Sequence, residues 1–231
     1  MAVVEDLVRR ATADPVVVGL VLTGSQARGV ATRHSDVDVH VVVADRCDRW
    51  SRIRSALLDQ VVCTVDALAD TSDVWQRYAF RGATVLLDRL DGGIAELVER
   101  QAVPTEAEAR MWGREGLDGY LNLAYRAAKG RRDGADLAAA LDEQECVPWL
   151  LTTVFALHGR LRPYNKYLRW ELETYPLDEP WTASSFPTRA LHDPIGLFPE
   201  VEGLARHCGH GDVLDAWGTD LTLLRTTRRP A

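Results

Sequence analysis

Apolar, mostly β-branched residues run from Val16 to Thr23 and again from Val37 to Val43, with a polar segment between them. Runs of this length and composition predict two strands of a buried sheet. Ahead of them, Val3, Val4, Leu7, Val8 and Ala11 recur at helical spacing with Arg9 and Arg10 outside the stripe. That pattern predicts a helix over residues 2–12 covering the first strand. Asp14-Pro15 ends it, because the residue before a proline avoids helical dihedrals. Beyond the second run, Trp50, Ile53, Leu57 and Leu58 are spaced for a crossover helix from Arg46 to Gln60. Val61 to Leu68 then reads as a third strand, Trp75 to Arg81 as a short helix, and Ala83 to Asp88 as another strand that Asp91-Gly92-Gly93 breaks.

At Pro104 the pattern changes from strand-like runs to helical ones. Residues 105–129 predict a long helix, weakened by Gly113, Gly116 and Gly119. Residues 136–158 predict a second, apolar almost all round after Glu145 and hence buried, with Pro148 expected to kink it. Arg162 to Thr174 and Gly211 to Arg225 supply further helical segments, and no internal repeat is visible. The chain is therefore expected to divide into residues 1–103, which mix strands with helices, and residues 104–231, which are helical.

The candidate chemistry lies between the first two strands. Gly24-Ser25-Gln26-Ala27-Arg28-Gly29 follows the first run, and Asp36-Val37-Asp38-Val39 opens the second. Side chains alternate along a strand, so Asp36, Asp38 and His40 share one face while Val37, Val39 and Val41 share the other. Two carboxylates about 6–7 Å apart along a strand repel unless a cation joins them. Mg²⁺ is held by one or two protein carboxylates together with phosphate oxygens. The Gly24-Ser25 turn offers backbone N–H groups and a hydroxyl to a phosphate. Together these residues describe a site for a metal-bound nucleotide.

Gly24-Ser25, ten residues, then Asp36-x-Asp38 resembles the signature of the nucleotidyltransferase superfamily, which includes DNA polymerase β and kanamycin nucleotidyltransferase. The longer string, with His34-Ser35-Asp36-Val37-Asp38-Val39, is similar to the small bacterial members, the minimal and antibiotic-modifying nucleotidyltransferases. The resemblance covers roughly residues 16–90. It implies an α+β protein: a nucleotidyltransferase domain with a small mixed sheet over residues 1–103, then an α-helical bundle over residues 104–231 that binds the substrate. It also implies transfer of a nucleoside monophosphate, AMP from ATP being the expected case, to a hydroxyl with Mg²⁺ as cofactor. Asp36 and Asp38 would be the catalytic metal ligands, and Asp66, at the end of the third strand, either the third carboxylate or an acid closing a turn.

The departing pyrophosphate needs cations. Arg28 in the turn is one candidate, its alternative being a surface arginine. Lys166 is the other, one of only two lysines in the chain, within Arg162-Pro163-Tyr164-Asn165-Lys166-Tyr167-Leu168-Arg169-Trp170. That segment resembles a stretch of the streptomycin/spectinomycin adenylyltransferases in which a lysine faces the triphosphate; a solvated helix lysine is the alternative. Tyr164 or Tyr167 either stacks on the base or packs in the core. For the general base, the stripe Leu137, Leu141, Pro148 places Glu145 beside the apolar face, where partial desolvation would raise its pKa. Glu143 is the second candidate, and acids favoured by a helix's first turns are the alternative for both.

A net charge of −7 gives no global basic field for nucleic acid, so a polymerase-like role is disfavoured. The acidity suits a polycationic acceptor, and an aminoglycoside or lincosamide antibiotic is the expected class. A protein hydroxyl, as in antitoxin-like members, and a non-catalytic nucleotide-binding protein are the alternatives. Cys47, Cys63, Cys146 and Cys208 are too scattered for a zinc ribbon or a disulfide framework, and His207-Cys208-Gly209-His210 lacks a second ligand pair. No apolar run approaches about 18 residues and no signal-peptide pattern is present, so a cytoplasmic protein without a membrane partner is expected. A homodimer is left open.

Overall fold

The computed structural model describes residues 2–46 and 48–227. Cys47 lies outside them. The chain forms two compact units, residues 1–103 and 104–231. In the first, helix α1 (Ala2–Ala13) precedes strand β1 (Val17–Thr23), one turn of helix α2 (Gly24–Ala27) and strand β2 (Val37–Val43). Strands β3 (Ile53–Arg54) and β4 (Leu58–Thr64) come next, then helices α3 (Val65–Ala69) and α4 (Val74–Arg77), strand β5 (Thr84–Asp88) and helix α5 (Gly93–Ala102). The sheet has the order β3-β4-β2-β1-β5. It is mixed: β2 and β4 run parallel, and the other neighbours are antiparallel. The α+β expectation holds.

Alternation along the strands divides the sheet's two faces. Val37, Val39, Val41 and Val43 pack with Leu20, Trp50 and α1 on one side. Val21 and Val42 pack with Leu68, Phe80, Ile94 and Val98 on the other. Each face buries its own apolar cluster, so a one-residue slip of β2 would turn the valines out and the polar residues in. This is what holds the register on which the site depends.

The expected helix from Arg46 to Gln60 is absent. The chain crosses from β2 to β4 through a loop and the short β3, with Leu57 69% exposed. The apparent helical spacing has another origin. Trp50 is an anchor, packed under α1 with its indole N–H donating to Asp14 at 3.1 Å, and Leu58 begins a strand. The amide of Gln60 donates to the Ser51 carbonyl at 2.7 Å and pins the loop to β4. The third strand thus starts at Leu58 and ends at Thr64, whose hydroxyl caps α3 by accepting from Ala67 N–H.

In the second unit, helices α6 (Glu106–Arg132) and α7 (Asp136–Leu157) form a long antiparallel pair. Smaller helices surround it: α8 (Leu168–Thr174), α9 (Phe186–His192), α10 (Phe198–His207), α11 (Gly211–Trp217) and α12 (Leu221–Thr226). The glycines of α6 do not break it, because α7 lies against them. A Cβ at Gly116 would stand 3.1 Å from the Thr153 backbone nitrogen, and one at Gly119 2.4 Å from the Trp149 ring. Thr105 and Glu108 form a capping box at the start of α6. Pro148 is accommodated inside α7, and the expected last helix is interrupted at Gly218. No described helix is long and apolar enough to cross a membrane.

Buried Arg77 ties α4 to the end of α5. Its guanidinium donates to the carbonyls of Arg100, Gln101 and Val103 at 2.8–3.1 Å. Replacing it by methionine strands three acceptors, so Arg77→Met should lower the unfolding free energy by about 3 kcal/mol or more. Urea denaturation of the two proteins measures this.

Candidate active site

The Gly24-Ser25 turn leaves β1 as a single helical turn, and its geometry explains the glycine. Gly24 sits at φ +64°, and a Cβ there would lie 1.8 Å from Oδ2 of Asp38. The carboxylate therefore lies against the glycine's backbone, and only glycine supplies both the dihedral and the space. Thr23 Oγ1 donates to the Asp38 carbonyl at 3.4 Å, which keeps the turn beside β2. Ser25 is 1% exposed, and its hydroxyl has no hydrogen-bond partner.

Asp38 is on β2 with Thr23 of β1 opposite it on one side. On the other side, the parallel register places Asp59 of β4 opposite Asp38. The two carboxylates thus share a sheet face at one level, and Asp36 lies immediately before the first residue of β2. Asp59 is half-buried, and its Oδ1 is buried without a hydrogen-bond partner. Sequence reasoning missed it by folding residues 46–60 into a helix. The signal that could have found it is the alternation Leu58, Gln60, Val62 running directly into the recognised strand.

Asp66 does not join the site. It lies on α3, exposed, beyond the end of β4, which pairs Thr64 with Val43. Five residues separate that level from the Asp38–Asp59 level, about 16 Å along the sheet. Arg28 is also placed differently from a phosphate cation. It is buried and donates to the carbonyls of Gly24 at 2.9 Å, Tyr78 at 2.9 Å and Ala79 at 3.2 Å, with its guanidinium 5.3 Å from the Tyr78 ring centre. Its donors brace the turn.

In the second unit, Glu145 is exposed on α7. The stripe that was expected to be buried faces solvent, with Leu137 76% and Leu141 58% exposed. The buried line is instead Ala139, Asp142, Cys146 and Leu150, with Ala139 against Gly130 of α6 and the Cys146 thiol donating to the Tyr120 carbonyl at 3.9 Å. The desolvation argument for Glu145 therefore fails. Glu143 is held by Arg131 at 2.9–3.0 Å. Lys166 is exposed in a 3-10 turn, its Nζ 5.3 Å from the Tyr167 ring centre, while Tyr167 itself belongs to the buried set. Tyr164 lies 6.4 Å from Tyr167 between ring centres.

As they stand, no three His, Cys, Asp or Glu side chains among the described residues are gathered closely enough to ligate one ion. The donors nevertheless suit Mg²⁺. Carboxylate oxygens are its preferred protein ligands, one or two suffice when phosphate oxygens complete the shell, and Asp59 Oδ1 is a buried acceptor with no other partner. Ser25 Oγ, in the turn next to Gly24, is a buried hydroxyl with no partner among the described residues.

Residues 3–102 match the family model of the nucleotidyltransferase domain. The matched residues make up nearly all of the first unit. Comparison with curated proteins gives no match. Among solved structures, a nucleotidyltransferase-like protein from Exiguobacterium sibiricum 255-15 aligns over 98% of this chain and 80% of its own, at 15% identity and a TM-score of 0.45.

His40 lies on the same face one step deeper than Asp38, and its ring packs on Phe80 with centroids 4.7 Å apart. Burial lowers its pKa from 6.5 to about 4, against the opposing field of Asp59. The unfolded chain therefore binds a proton between pH 6.5 and 4 that the folded chain refuses, so stability falls as pH falls through that window. The loss reaches at most about 3 kcal/mol, and His40→Leu should remove this limb from a pH series of denaturation curves. Ser25→Ala deletes a hydroxyl with no partner. It should leave stability within about 0.5 kcal/mol while weakening nucleotide binding roughly tenfold, measured by calorimetry.

Proposed function

We infer that this protein transfers a nucleoside monophosphate from a nucleoside triphosphate, ATP being the expected donor, to a hydroxyl of a small molecule. The observation that carries the reading is the level pairing of Asp38 and Asp59 beside the Ser25 turn, within residues that match the family model of the nucleotidyltransferase domain. In the reaction an acceptor oxygen attacks the α-phosphorus, the bond to the β-phosphate oxygen breaks, and pyrophosphate leaves. Asp38 and Asp59, with Asp36 at the mouth, would hold Mg²⁺, which neutralises phosphate charge and makes the acceptor hydroxyl easier to deprotonate. The chain's own part is placement. Ser25 Oγ would donate to a phosphate oxygen, Gly24 leaves the backbone close to the carboxylate, and Arg28 keeps the turn in shape. Positioning and charge neutralisation supply most of the catalysis in phosphoryl transfer.

For the acceptor, an aminoglycoside or lincosamide antibiotic is the favoured class. The support is the chain's net charge of −7, which attracts ammonium groups, and the 128-residue helical unit, large enough to shape a pocket for a small molecule. Modification of a protein hydroxyl is the second reading within the same chemistry.

Pyrophosphate release from Mg²⁺-ATP against a panel of aminoglycosides, lincosamides and simple alcohols tests this. Release should require one acceptor class and fall by about a thousandfold or more in Asp38→Asn and in Asp59→Asn. Asp66→Asn should behave as wild type. ATP binding with no release across the panel would remove the small-molecule reading and direct the search to protein acceptors.

A further inference from the structure

Beneath the paired carboxylates lies a polar side chain that the transfer reading leaves unused. His40 follows Asp38 by two residues on β2, so its ring occupies the carboxylates' face one level deeper, opposite Val21 of β1 and Val61 of β4. Phe80 packs on the ring at 45°, and the two neighbouring strand positions are valines. Asp59, diagonal to it on β4, is the carboxylate whose field reaches the imidazole. Among the described residues, Nδ1 of His40 is buried with no hydrogen-bond partner, and so is Oδ1 of Asp59.

Two unpartnered buried polar atoms on adjacent strands of one sheet face are costly separately and complementary together, one able to donate and the other to accept. A leucine or valine would pack against Phe80 and the valines without leaving a stranded nitrogen, so space-filling does not explain a histidine here. Carboxylates that ligate a metal commonly accept a second hydrogen bond that fixes their orientation.

We propose that His40 is a positioning residue, its ring N–H donating to the Asp59 carboxylate so that the other carboxylate oxygen is presented to a divalent cation beside Asp38. This rests on the reading of Asp38 and Asp59 as the cation site. It asks for side-chain rotation only, with the strand register unchanged.

The test measures Mn²⁺ binding to the full chain in the presence of α,β-methylene-ATP, read from the electron paramagnetic resonance signal of free Mn²⁺. His40→Leu should weaken Mn²⁺ binding about 10- to 100-fold without lowering the melting temperature of the cation-free protein at pH 7.5. His40→Asn, which carries an amide N–H on a short side chain, should recover part of that affinity. In turnover, His40→Leu should raise the Mg²⁺ concentration needed for half-maximal rate more than it lowers the rate at saturating Mg²⁺. Wild-type affinity in His40→Leu, or leucine and asparagine variants that are equally impaired and melt equally early, would show a space-filling ring and overturn the proposal. Asp38→Asn separates the two levels of inference. If wild type binds Mn²⁺ and Asp38→Asn does not, an unchanged His40→Leu defeats the proposal alone. If wild type binds no Mn²⁺, the cation reading falls and the role of His40 falls with it.

Discussion

Two carboxylates at one level of neighbouring parallel strands repel each other, and the sheet holds Asp38 and Asp59 there regardless. Burial on both faces of the sheet opposes that repulsion. Val39, Val41 and Val43 are sealed under α1 and Trp50, while Val21 and Val42 are sealed under Phe80, Ile94 and Val98. Moving either carboxylate by one residue would exchange the two faces of its strand and expose the core. Hydrophobic burial on both sides therefore converts an electrostatic liability into a fixed geometry.

The turn before β2 depends on the same logic of close approach. Asp38 lies so near Gly24 that no side chain fits, and the carbonyl of Gly24 is held by Arg28 at 2.9 Å. Arg28 also reaches the carbonyls of Tyr78 and Ala79, so the turn is tied to the segment leading into β5. A guanidinium suits this work because its planar fork can serve several acceptors in fixed directions. Arg28, whose donors go to backbone carbonyls, is what keeps this turn from collapsing.

The strands, the turn and the Asp36-x-Asp38 pair were legible because each leaves a local mark: β-branched runs, a Gly-Ser step, acids at period two. The failures share one cause, namely that the deciding partner lay far away in sequence. Trp50, Ile53, Leu57 and Leu58 match helical spacing, but Trp50 is fixed by Asp14, 36 positions earlier, and Leu58 by pairing with Val37. Once that segment was misread, β4 began three residues late, Asp59 vanished from view and Asp66 took its place. On α7 two stripes compete, and contacts with α6, such as Ala139 on Gly130 and Cys146 on Tyr120, accompany the burial of Ala139, Asp142, Cys146 and Leu150 while Leu137 and Leu141 stay out. The glycines that weaken α6 as an isolated helix are what let its neighbour approach.

The way charge is spent across the chain gives the site its meaning. In the helical unit, partly buried acids are matched by arginines: Asp142 by Arg126 at 2.9 Å, Glu143 by Arg131 at 2.9 Å, and Glu202 by Arg225 at 2.7 Å. In the sheet unit Asp14 has Arg49 at 3.2 Å, and the Asp88 carboxylate accepts from the backbone N–H groups of Leu90, Ile94 and Ala95. Asp59 has neither kind of partner among the described residues, although one of its oxygens is buried. An acid in that position is expensive unless something outside the chain supplies the positive charge. The same holds in milder form for the hydroxyl of Ser25, a buried donor with nothing to donate to. A divalent cation carrying a polyphosphate meets both needs at once, with positive charge for the carboxylates and acceptor oxygens for the hydroxyl. A protein ligand with a single charge of either sign would satisfy only one of them.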